Sequence, residues 1–227
     1  TIMGYYAALY NTAGDNTAIG DQALKGACDV STGGNNVAIG ACAMCKTTSG
    51  AGNVAVGRSA LFENTTGGTN VAVGQNARTN ITTGNTNVLL GHDSAVALTS
   101  GGQNVAVGVN TFRSATVAQR SVAIGRCAGN DGSNVVAVGH GAGKENTGNN
   151  TTAIGYLAAT SNTTGEVTAV GALSLEANTT GTYNTAVGNN ALQYNTTGNC
   201  NIAIGRSALT CNTTASCNVA LGKSALQ

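Results

Sequence analysis

Few residues in this chain could do chemistry. His92 and His140 each stand directly after a glycine of a recurring phrase, at corners three repeats apart, so roughly 14 Å would separate them in a stacked array. That spacing provides no dyad, and no paired acid or nucleophile is expected beside either ring, so no catalytic residues are expected. The nine carboxylates are scattered. None builds the Gly-and-Asp nonapeptide of calcium-binding rolls, and no two converge as glycoside hydrolysis requires. The glycine-rich corners are not followed by a helix whose N-terminus could hold a phosphate. The expectation is therefore a non-enzymatic protein with no cofactor and no metal.

Binding and modification candidates are more numerous. Arg58, Arg126, Arg206 and Lys223 share the position after the glycine, a sparse basic stripe interrupted by Asp21, Gln75, Val109 and Tyr156. A polyanion or glycan surface is one reading and a solvated corner the plainer one. Tyr10, Phe62, Phe112, Tyr183 and Tyr194 fall in turns, where exposed rings would stack on sugars and buried ones would cover core edges. Among seven cysteines, Cys42 and Cys45 make a C-x-x-C with no second pair at zinc spacing. Cys200 and Cys217 are 17 apart at one repeat position, which makes them the candidate disulfide of an oxidising, extracellular setting. Cys28, Cys127 and Cys211 have no obvious partner. Asn64, Asn162, Asn178, Asn195 and Asn212 each open an N-x-Ser/Thr sequon at the same turn. They are candidate glycosylation sites in a eukaryotic secretory host and otherwise good turn residues.

Composition narrows the partners. With 8% charged residues and a formal net charge of +1, the chain has no electrostatic footprint for nucleic acid or an anionic bilayer. No apolar run approaches the roughly 20 residues that span a membrane, so neither nucleic-acid binding nor membrane insertion is expected. Solubility must come from Asn, Thr, Ser and Gly.

What positions these residues is a repeat. The phrase Asn53-Val54-Ala55-Val56-Gly57-Arg58-Ser59-Ala60-Leu61 returns at 201–209 and 218–226, with weaker copies between. Its glycine recurs as Gly4, Gly20, Gly40, Gly57, Gly74, Gly91, Gly108, Gly125, Gly139, Gly155, Gly171, Gly188, Gly205 and Gly222. Eight of the thirteen spacings are 17, three are 16, and the outliers are 20 and 14. Such a period means a solenoid. Alternation before the glycine predicts a short strand, with Val54, Val56, Val71, Val73, Ile202 and Ile204 facing the core and Ala between them at a close approach. Gly40, Gly57, Gly74, Gly91, Gly108, Gly125, Gly188, Gly205 and Gly222 are read as corners where a β-carbon would clash. A second short strand follows, then a polar Asn-Thr-Thr-Gly turn. Asn53 and its equivalents are expected to stack their amides from coil to coil. The prediction is an all-β parallel β-solenoid of about fourteen coils, 14 to 20 residues each, over residues 1–227 as a single segment.

Each coil offers about three large aliphatic side chains, a thin core for a lone chain. The Ala rows are a flat surface for another copy, so a dimer or trimer is expected. Thr1 and Gln227 both fall inside repeats, from which a segment of a longer fibre protein, or ends that stack on another copy, is anticipated.

The phrase Asn-Val-Ala-Val-Gly-x-x-Ala resembles the head repeat of trimeric autotransporter adhesins (YadA-like), and the coil from Gly125 to Gly139 matches it in length. The longer form at 184–198 is similar to repeats in the shafts of phage and large-virus tail fibres. The resemblance covers the whole chain. It implies a left-handed β-roll, a homotrimer, and a place outside the cell or on a virion. The function expected is that of a fibre or adhesin shaft that presents a binding tip to a host or surface, with cell-surface glycans or a receptor as partners. A self-assembling extracellular filament is the alternative, and ice binding through the Thr-Thr rows a minor one.

Overall fold

A computed structural model of the chain describes residues 1–27, 31–77 and 82–227. Each copy of the phrase supplies one parallel strand, and the chain is an all-β parallel β-solenoid with no helix among the described residues. It forms two compact units, Thr1–Gln119 and Arg120–Gln227. The first holds β1 (Ile2–Met3), β2 (Thr17–Ile19), β3 (Val37–Ile39), β4 (Val54–Val56), β5 (Val71–Val73), β6 (Val88–Leu90) and β7 (Val105–Val107). The second holds β8 (Val122–Ile124), β9 (Val136–Val138), β10 (Thr152–Ile154), β11 (Thr168–Val170), β12 (Thr185–Val187), β13 (Ile202–Ile204) and β14 (Val219–Leu221). Register is exact in the repeat: Val54 pairs with Val71, Ala55 with Ala72 and Val56 with Val73. The 14-residue spacing between Gly125 and Gly139 keeps it too, pairing Val122 with Val136.

The strands face the other way from the expected one. Ala55 and Ala72 are fully buried, and so is nearly every Ala at this position. Val54, Val56 and Val71 are only partly covered, and Val73, Ile202 and Ile204 remain 39%, 41% and 40% exposed. The interior of the coil around β4 is instead lined by Asn53, Ala55, Ala60, Leu61, Asn64 and Gly67, all buried. A coil of about 17 residues encloses too little space for a branched side chain at the strand centre as well as a Leu across from it. The exception supports this: where Leu89 replaces the strand Ala, Ala95 replaces the Leu, and both are fully buried. The Ala rows are thus the inside of the coil and not a surface for another copy.

The second strand is also absent among the described residues. After Gly57 the chain runs through turns, with Ser59 at φ 56° and Leu61 at φ 51°, and Ala60 N–H closes back on Gly57 O at 3.2 Å. Ser59 N–H then donates to Ala41 O of the preceding coil and Leu61 N–H to Ala77 O of the following one, at 2.9 and 3.0 Å. The left-handed residue costs about 1–2 kcal/mol. In return the Leu side chain enters the core and its amide is satisfied. Gly57 itself sits at φ +130°, and a β-carbon there would lie 2.6 Å from Gly74 O, so no other residue fits the corner.

Three hydrogen-bonded ladders tie the coils together. In the first unit Asn53, Asn70, Asn87 and Asn104 each donate from Nδ2 to the Oδ1 of the Asn one coil earlier, at 2.9–3.2 Å. In the second unit Ser121, Val135, Thr151 and Val167 stand at that position before Asn184, Asn201 and Asn218 resume it, and a second column carries a ladder of its own. There Asn162, Asn178, Asn195 and Asn212 donate to the preceding Oδ1 at 2.8–2.9 Å. On the outside, Thr Oγ1 groups donate to the next coil's carbonyl, as from Thr65 to Thr82 at 2.9 Å and from Thr163 to Thr179 at 2.8 Å.

Candidate functional surface

Because Ala and Asn point inward, the branched residues form two columns on the outer face of each sheet. In the first unit these are Val37 and Ile39 on β3, then Val54 and Val56, Val71 and Val73, Val88 and Leu90, Val105 and Val107. In the second unit the glycine-side column is entirely aliphatic from Ile124 to Leu221, while Thr152, Thr168 and Thr185 interrupt the other. No charged side chain enters either column. In-register stacking covers each side chain above and below, so the remaining exposure of 36–39% at Ile39, Val73, Ile154 and Val187 is their outward face. The result is a regular run of aliphatic groups left exposed on the outer face.

Two polar clusters break the regular pattern. In the first unit Asn76 Nδ2 donates to Asp93 Oδ1 at 3.1 Å, and Asp93 Oδ2 lies 3.3 Å from His92 Nδ1. Contrary to expectation, His92 therefore does have a paired acid, its own chain neighbour. Asn76 and Asp93 border a cleft of about 360 Å³ whose walls also include Val96, Asn110 and Arg113. Its polar lining is amide, carboxylate and guanidinium. In the second unit the rings of His140 and Tyr156 stack, with centroids 5.5 Å apart and planes 18° apart, and Arg126 Nη1 reaches His140 Nε2 at 3.3 Å. Arg126 and Tyr156 occur at the same position after the glycine, so coil stacking alone brings them together with His140.

The remaining candidates divide by face. Arg58 is exposed in the first unit, and Arg126, Arg206 and Lys223 in the second. Phe112 is fully buried and is no sugar platform, whereas Tyr183 and Tyr194 are 62% and 51% exposed. The Tyr183 hydroxyl donates a hydrogen bond to the Glu166 carboxylate one coil away, and that bond, with the carboxylate's charge, raises the phenol above its ordinary range. Phe62 lies under the ammonium of Lys46, 4.9 Å from the ring centroid, while Lys46 pairs with Glu63.

The modification candidates separate by exposure. Asn64, Asn162, Asn178 and Asn195 are fully buried, and Asn212 is partly so, with Nδ2 already bonded to Asn195 Oδ1 and Ala215 O. The nitrogen that would carry a glycan is a rung of the interior ladder. Their recurrence at one turn position was the available signal of a ladder. Cys200 and Cys217 are both free, exposed thiols. Cys28 lies outside the described residues. No group of three or more His, Cys, Asp or Glu converges among the described residues.

No protein-family model matches the chain, and a search of curated proteins found no match. The solenoid and its repeat are therefore established by the geometry alone, and the adhesin and tail-fibre resemblance stands only on the phrase itself.

Proposed function

We propose that this chain is a non-enzymatic shaft segment of an extracellular fibre or adhesin, of the kind found in tail fibres or on cell surfaces. It would assemble as a homotrimer and hold a binding tip away from its point of attachment. The observation that carries this reading is the pair of outward aliphatic columns on a backbone already laddered inside and out. A second copy laid along the columns would cover apolar surface that the single chain leaves wet, at about 25 cal/mol for each Å² removed from water. Nothing charged would be desolvated in doing so. The expected Ala surface is replaced by this one, and the resemblance supplies the number three.

The ladders support the mechanical half of the proposal. Coils joined by strand, Asn and Thr hydrogen bonds open only together, which makes a stiff, protease-resistant element. Sparse charge and abundant Asn and Thr keep the other faces poor partners for casual association. Glycans or a receptor would be met at the irregular polar positions, such as the cleft beside Asp93 and Arg113, or by neighbouring parts of a fibre.

Sedimentation equilibrium combined with negative-stain electron microscopy tests the reading. Three copies per particle and rods of uniform length are expected. A folded monomer at low micromolar concentration, or filaments of indefinite length, would overturn it.

A further inference from the structure

We propose that Cys42 and Cys45 are a redox pair that closes to a disulfide across one corner of the first unit. The corner is the one after Gly40, which ends the single 20-residue repeat. Residues 41–46 run as continuous turn, with Cys42 at φ 54° and the buried Met44 at φ 54° between the two cysteines. That curl places both cysteines on the wall of one groove. Cys42 stands where Ser59 does in another coil and Cys45 where Phe62 does, and both of those are only partly covered.

The two sulfurs differ in a way that orders the chemistry. Cys45 is 7% exposed, and its S–H donates to Gln22 O of the preceding coil at 3.0 Å. Burial first, and the neighbouring Cys42 second, push its thiol up and keep it protonated. Cys42 is half-buried and opens on a groove of about 430 Å³ lined also by Lys25, Lys46 and Phe62. The groove can seat a small disulfide oxidant such as oxidised glutathione, whose carboxylates suit the two ammonium groups.

The step balances with that oxidant. The Cys42 thiolate attacks one glutathione sulfur, forms a mixed disulfide and expels one glutathione thiolate. Cys45 then gives its proton to solvent and attacks Cys42 Sγ, forming the Cys42–Cys45 bond and expelling the second glutathione. Two protein thiols lose two electrons and two protons, and one glutathione disulfide is reduced to two thiols. Loss of the buried proton makes the second transfer the slow one. Closure takes the S–H donor from Gln22 O, so oxidation changes the seam between two coils and not only the corner.

The test uses the full chain with Cys28→Ser, because trypsin releases Cys28, Cys42 and Cys45 on one peptide, residues 26–46. The folded protein is incubated with oxidised glutathione, blocked with iodoacetamide and digested. The expected peptide lacks two hydrogens and takes no alkyl group, and Cys42→Ser abolishes that product. In the chain with Cys28 retained, the fragmentation pattern must still place the bridge between Cys42 and Cys45. A bridge to Cys28, a mixed glutathione adduct that persists on Cys42, or two alkylated thiols would each overturn the proposal.

Discussion

Asn195 donates from Nδ2 to Asn178 Oδ1 at 2.8 Å, inside the coil and seventeen residues along the chain. Asn178 in turn donates to Asn162 at 2.9 Å and to Gly181 O at 2.8 Å. The core of this protein is thus partly amide, satisfied only because each coil repeats the last. Removing one rung leaves its neighbours unpaired in a dry interior, at about 1–3 kcal/mol for each orphaned group.

Asn178→Ala strands Asn162 Oδ1 and Gly181 O and removes the acceptor of Asn195. A loss of about 2–4 kcal/mol is expected, read as a lowered midpoint in guanidinium unfolding. Thr179→Ala, which removes only an outer donor to Thr196 O at 3.0 Å, should cost less than half as much. Equal costs would argue against a ladder inside the coil.

Asn178→Asp makes the same rung titratable. Burial favours the neutral carboxyl, so its folded pKa rises above the ordinary value of about 3.9. Between the unfolded and folded pKa the native state binds more protons, and stability falls as pH rises, by about 1.4 kcal/mol per pH unit. The variant should match the parent most closely below about pH 4 and lose ground towards neutrality. A flat difference across that range would show that the position is solvated.

Ser59 holds φ 56° at a half-covered position where Asn76, Asn110 and Asn190 occupy the same conformation in other coils. Asn tolerates the left-handed region better than Ser, so Ser59→Asn should stabilise by about 0.5 kcal/mol. Gly57→Ala has the opposite sign. Its β-carbon would meet Gly74 O at 2.6 Å with φ at +130°, and a loss of about 3 kcal/mol or more is expected. Thermal melts of both variants check the pair.

Val54→Glu with Val71→Glu places charge on the outer column without entering the coil. Far-UV circular dichroism of the variant should keep its strand signal while sedimentation shows dissociation to single chains. Retention of the oligomer would move the association surface elsewhere; loss of fold would mean that the columns serve the coil itself.

The period, the strand phrase, the corner glycines and the polar turns were all legible in the order of residues, because each is a local requirement. A glycine every 17 residues needs no knowledge of what surrounds it. The amide ladder through Asn53 and Asn70 was legible for the same reason. Its counterpart through Asn162 and Asn178 was not, since an Asn before Thr-Thr-Gly serves a solvated turn equally well.

What the sequence determined by itself is that the chain repeats and that its repeats stack. What only the tertiary structure decided is which side of each strand is inside. Period-2 alternation separates Val54 and Val56 from Ala55 without saying which set is buried, and hydrophobicity alone favours the larger residues. The answer depends on the width of the closed coil, fixed by left-handed turns at Ser59 and Leu61 that no local preference announces. A coil that narrow admits Ala and amides and turns its valines out to face whatever lies beside it.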